Sequence, residues 1–67
     1  MKFTDKAGRK IETRSGEDVV AEDGFPMVDL YINGKWVESL AMMWYSPENV
    51  ARVEACMFEY YEIEEGA

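Results

Sequence analysis

The sequence predicts an α+β fold, an antiparallel sheet of two β-hairpins packed against one C-terminal amphipathic α-helix, and three short stretches carry that prediction. Asp5-Lys6-Ala7-Gly8 and Asn33-Gly34 are turn sequences set between short runs of strand formers. Ser46-Pro47 opens a segment whose apolar residues recur at helical spacing. With 67 residues the chain is expected to form one domain, residues 1–67, small enough that its core is marginal on its own.

The first hairpin joins Met1–Thr4 to Arg9–Thr13, with Phe3 and Ile11 facing inward and the lysines outward. Residues 15–24, rich in Ser, Gly, Glu and Asp around Val19-Val20-Ala21, read as a loosely held link to the second hairpin. There Asn33-Gly34 suits the positive φ angles of a two-residue turn. Such a turn sets Ile32 opposite Lys35, Tyr31 opposite Trp36, Leu30 opposite Val37, Asp29 opposite Glu38, Val28 opposite Ser39 and Met27 opposite Leu40. Alternation then gives one apolar face of Val28, Leu30, Ile32 and Val37, and a second face of Met27, Asp29, Tyr31, Trp36, Glu38 and Leu40. Pro26 ends ladder pairing at the start of the third strand, and the fourth has the composition to run on through Met42, Met43 and Trp44.

In the helix, Ser46 can cap a free amide, Pro47 suits the first helical position and Glu48 faces the positive end of the dipole. Val50, Val53, Met57, Tyr60 and Tyr61 form the stripe expected to dock on the sheet, with Ala51 and Phe58 at its margin. Glu48, Arg52, Glu59 and Glu62 fall on the opposite side, where Glu48 and Arg52 are spaced for an ion pair. Met42 to Tyr45, at the junction of sheet and helix, is expected to be core, and Cys56 to be a small packing residue.

Charge is sorted along the chain. Residues 1–15 set Lys2, Lys6, Arg9, Lys10 and Arg14 against Asp5 and Glu12, a net +3; beyond them only Lys35 and Arg52 oppose twelve carboxylates, a net −10, which together give −7. The excess favours basic partners and disfavours direct DNA binding, which needs clustered Lys and Arg. The basic first hairpin has internal pairing as its expected role, with Lys2 or Arg9 as neutralisers of Asp29 and Glu38. Almost half the residues are apolar and nine are aromatic, too many for a disordered acidic tail. The lone Cys56 and the lack of a leader-like or membrane-spanning apolar run point to a reducing, cytoplasmic setting and no membrane contact.

Catalysis finds little footing. Without His there is no Ser or Cys triad of the usual kind and no His-based zinc site, and the chain lacks a P-loop, a Gly-x-Gly-x-x-Gly run and a calcium loop. No enzyme activity, metal or cofactor is expected. Two acidic sets suggest protein contact instead. On the second hairpin, Asp29 and Glu38 flank Tyr31 and Trp36, aromatics that serve either as interface anchors or as a cross-strand pair stabilising the hairpin. On the helix and beyond it, Glu48, Glu59, Glu62 and Glu65 form either an acidic strip for a basic partner or, at the tail, a solvated end.

This combination of small size, acidity and absent catalytic chemistry resembles the acidic inhibitors made by bacteriophages and mobile elements, above all the anti-CRISPR proteins, a group without a shared motif. The resemblance implies a cofactor-free protein acting in the cytoplasm of a bacterial host, which blocks the nucleic-acid-binding surface of a CRISPR effector by steric and electrostatic means. The alternative is a structural or regulatory module, acting as a homodimer through its Tyr31–Trp36 face or as an accessory subunit.

Overall fold

The structure, a computed structural model, describes residues 1–66. Four strands, β1 (Lys2–Thr4), β2 (Lys10–Arg14), β3 (Met27–Ile32) and β4 (Lys35–Ala41), form an antiparallel sheet in chain order, and helix α1 (Pro47–Tyr60) lies across one face. This is the predicted α+β architecture. Ile11, Val28, Leu30, Met42, Met57 and Ile63 make the buried core, with Phe3, Ile32, Val37, Val50, Val53, Phe58 and Tyr61 packed against it. Phe3 and Phe58 meet edge to face at 5.5 Å, tying β1 to the helix.

Both turns form where the sequence places them. Asn33 and Gly34 take φ of 54° and 82°, and Asn33 also accepts the Lys10 amide on its side chain at 2.9 Å, joining the two hairpins at this end. In the first turn the Gly8 amide donates to the Asp5 carbonyl at 3.0 Å. Residues 15–26 are better held than their composition suggests: Val20 bridges to Pro26, and the Ala21 and Met27 amides donate to the Phe25 and Val19 carbonyls, both at 2.9 Å.

The register of β3 with β4 departs from the expected one. Ile32–Lys35 and Tyr31–Trp36 pair as anticipated, but Val37 is an extra residue on β4, so Leu30 faces Glu38, Asp29 faces Ser39, Val28 faces Leu40 and Met27 faces Ala41. A bulge of one residue exchanges the two faces beyond it. Val37 keeps its place against the core, while Glu38 and Leu40 move to the helix side and Ser39 and Ala41 take the outer face.

Helix α1 begins as expected, with Ser46 Oγ accepting the Asn49 amide at 3.0 Å. Its buried side is rotated from the predicted stripe: Glu54 is buried, with its carboxylate accepting the Thr13 hydroxyl of β2, whereas Tyr60 is exposed. Phe3 on β1 draws Phe58 inward, and that rotation carries Tyr60 out. The expected Glu48–Arg52 ion pair does not form among the described residues, and Cys56 is exposed rather than packed. Strand β4 ends at Ala41 and only Met42 of the following run enters the core; Met43, Trp44 and Tyr45 are exposed. The short climb from sheet to helix, held by the Asn49 side-chain amide on the Trp44 carbonyl, admits one inward side chain.

The acidic end is neither frayed nor helical. The Ile63 amide donates to the Phe58 carbonyl at 2.7 Å and the Glu62 amide to the Glu59 carbonyl at 3.2 Å, with Glu62 at φ 55°. These two bonds close a Schellman motif, with Glu where Gly is usual. The chain then returns beside β1, bridging Glu65 to Asp5, with the Lys6 amide on the Glu64 carbonyl and the Gly66 amide on the Thr4 carbonyl.

Candidate partner-binding surface

The two predicted acidic sets fare differently. On the outer sheet face a row runs Lys2, Glu12, Tyr31, Trp36, and behind it Arg14, Asp29 and Ser39. The Arg14 guanidinium lies 4.2 Å over the Tyr31 ring and bonds Glu12 at 2.7 Å. That bond, opposed by desolvation, holds the Glu12 carboxyl below the usual range. Asp29 accepts the Ser39 hydroxyl at 2.6 Å, and Ser39 in turn accepts the Trp36 indole at 2.9 Å. Asp29 and Glu38 therefore do not confront each other, and neither Lys2 nor Arg9 serves as Asp29's neighbour; Arg14 does. Glu38 lies on the helix side, where burial first and the Glu38 charge second push the Tyr61 hydroxyl above its ordinary pKa. The outer face thus mixes both charge signs around a half-buried Tyr31 and an exposed Trp36.

The second set stays free. Glu48, Glu59, Glu62 and Glu65 are all exposed, and none joins the ion pairs found among the described residues. Eleven helical positions separate Glu48 from Glu59, which puts them on one azimuth about 16 Å apart. Glu59 and Glu62 lie at the C-terminal end of α1, whereas Glu65 lies on the tail beside β1, opposite Asp5. The linking loop adds Glu17, Asp18, Glu22 and Asp23, all exposed, beside the exposed apolar Val20 and Phe25. In the sequence these four look like linker residues; the signal for the exposed tip is Gly24, whose φ of 87° closes the turn from Ala21.

The basic first hairpin is largely consumed within the fold. Arg9 Nε lies 2.7 Å from the Asp5 carboxylate, and Arg9 Nη2 donates to the Tyr61 and Glu62 carbonyls at 3.3 and 3.1 Å. From the end of the first turn it supplies the cation that the helix C-terminus lacks in its own last turn. Burial pushes the Asp5 carboxyl up, but the Arg9 amide and guanidinium outweigh it and hold the group below the usual aspartate range. Lys6 pairs with Glu64 at 3.2 Å on the surface.

A groove of about 240 Å³ beside the end of β4 is lined by Met42, Met43, Trp44, Asn49, Arg52 and Val53. Among the described residues no cluster of three or more His, Cys, Asp or Glu is placed to hold a metal ion, and no helix is long and apolar enough to cross a membrane. No family model, curated protein or solved structure matches the chain.

Proposed function

We propose that this chain is a non-enzymatic acidic protein that binds and blocks a basic, nucleic-acid-binding surface of a protein partner, in the manner of the anti-CRISPR inhibitors it resembles, with a CRISPR effector as the leading target. The observation that supports this reading is the segregation of free charge. Lys6, Arg9 and Arg14 are occupied by Glu64, Asp5 and Glu12, while Glu59 and Glu62 stand exposed at the end of α1, Glu48 at its start with Arg52 between, and Glu65 exposed on the tail beside β1. Carboxylates presented this way accelerate encounter with a Lys- and Arg-lined groove and reject acidic surfaces. The hairpin set enters the reading only through Tyr31 and Trp36, since Asp29 is engaged by Ser39 and Glu38 lies on the other face.

The experiment is a capture with tagged protein from a lysate of CRISPR-bearing bacteria, washed at low and then high salt and read by mass spectrometry. The reading requires one nucleic-acid-binding protein that salt releases and that a Glu59→Lys, Glu62→Lys, Glu65→Lys variant fails to retain. Capture indifferent to both salt and charge reversal, or no capture, defeats it.

A further inference from the structure

The sheet has two edges, and the fold treats them differently. The β1 edge is covered by the returning tail through the Asp5–Glu65 bridge and the backbone bonds of Lys6 and Gly66. The β4 edge has nothing beside it among the described residues. The Met42 amide bonds the Pro26 carbonyl at 2.7 Å, so by antiparallel alternation Leu40 and Glu38 also pair inward. The backbone groups of Ser39 and Ala41 consequently point away from β3, unpaired.

We propose that a second copy of this chain pairs with that edge, β4 against β4 in antiparallel sense about a two-fold axis, with Leu40 facing Leu40. Charge selects the occupant. The chain carries −7, yet residues 35–45 hold only Lys35 and Glu38 and are neutral, so this edge is where two copies repel least. Area agrees. Trp36, Leu40, Met43 and Trp44 are 61%, 37%, 74% and 63% exposed along or just beyond the edge. They expose roughly 500 Å² of apolar side chain per copy, so two copies can bury at most roughly 1,000 Å², the lower limit for a specific interface.

The bulge sets the register. Val37 kinks β4, so the straight part of the edge runs from Glu38 to Ala41, carried one residue on by the Met42 amide on the Pro26 carbonyl, and Leu40 is the centre of that run. Centring there places Ser39 against Ala41 in both directions, with their outward backbone groups bonded, and brings Trp36 toward Trp44 of the other copy. Centring on Glu38 would oppose two carboxylates. The axis stands perpendicular to the sheet, so both helices lie on the same side of an eight-stranded sheet.

The test is sedimentation equilibrium of the full chain over micromolar to near-millimolar concentration. The wild type is expected to reach twice the chain mass and to hold or tighten with added salt, as an apolar contact does. Ala41→Pro removes only an outward-facing amide and should return the single-chain mass with an unchanged circular dichroism spectrum. If that variant fails to fold, Leu40→Cys in a Cys56→Ser background takes its place, because cysteines at a non-hydrogen-bonded pair face each other closely enough to oxidise into a linked dimer. Val20→Cys in the same background, exposed on the loop, should not link. A single-chain mass at every concentration overturns the proposal. So does a dimer that a folded Ala41→Pro variant leaves intact, or linkage no greater at Leu40→Cys than at Val20→Cys.

Discussion

Glu62→Gly should stabilise the protein, although it deletes a side chain and loosens the unfolded chain. Glu62 sits at φ 55° as the left-handed residue that closes α1. A side chain with a Cβ costs about 1–2 kcal/mol in that region. Glycine removes this cost but returns about 0.5–1 kcal/mol through the greater freedom of the unfolded chain. Taking a carboxylate away from the negative end of the helix adds a few tenths. The net gain is about 1 kcal/mol. At about 2.1 cal/mol/K per residue of unfolding entropy, 67 residues give roughly 0.14 kcal/mol/K, so the melting temperature should rise by about 7 °C. Arg9 bonds backbone carbonyls here, so the substitution leaves its contacts in place. Glu62→Ala separates the causes, because it removes the charge and keeps the strain, and should move the midpoint by only a degree or two. Calorimetry on both variants decides the matter: if Glu62→Gly is no more stable than Glu62→Ala, the closing residue is not strained and the account of the helix end fails.

Three further outcomes follow from particular contacts. Thr13→Val leaves the buried Glu54 carboxylate without its donor and should cost about 1–3 kcal/mol in urea unfolding, while Thr13→Ser, which keeps the hydroxyl, should cost much less. Asp5 is held below its ordinary pKa in the folded state, so its contribution is complete above the unfolded value of about 3.9 and is lost as pH falls through the lower, folded one. Urea midpoints measured from neutral pH down to strong acid should therefore drop below about pH 4 in the wild type and drop less in Asp5→Asn, which starts weaker at neutral pH. At Gly66 an added Cβ would meet the Thr4 carbonyl oxygen at 2.8 Å. Gly66→Ala should accordingly lift the tail from β1, seen as faster hydrogen exchange at the Lys6 amide.

What the sequence reveals here is what local chemistry controls. Asn33-Gly34 demands its turn whatever surrounds it, and Ser46-Pro47 starts a helix from its own side chain and ring, so the second hairpin and α1 were legible. The bulge at Val37 was not, because it keeps Val37 against the core and turns Glu38 to the helix side as well, an insertion that no turn residue signals. The helix end was hidden for a related reason: without a glycine at position 62 nothing local announces the stop, which Arg9 and the burial of Ile63 impose from a distance. Glu54 was assigned to no face because a carboxylate on an apolar stripe reads as an exception until Thr13 is seen beneath it. Of the candidate contacts, the exposed helix and tail carboxylates could be read from periodicity, but the pairing of Asp29 with Glu38 could not survive a shift in register.

The two proposals bear on each other through geometry. An acidic monomer of this size presents one modest cluster at the end of α1, and surface charges more than about 8–10 Å apart act nearly independently at physiological salt. Pairing through β4 adds no charge to the seam, since residues 35–45 are neutral, and it sets two helices on one side of a common sheet. The end of α1 and the tail lie toward β1, where Phe3 meets Phe58 and Asp5 bridges Glu65, so the two acidic ends would stand at the far sides of the eight-stranded sheet, and a partner whose basic surface spans both would meet the second at the high effective concentration of a rigid link. Binding by the pair should exceed that of the monomer without any new residue touching the target. The Ala41→Pro variant tests this coupling: it leaves every acidic contact residue in place, so a loss of capture that accompanies loss of the dimer would show that the acidic surface works in duplicate, and undiminished capture by the monomer would separate the two properties.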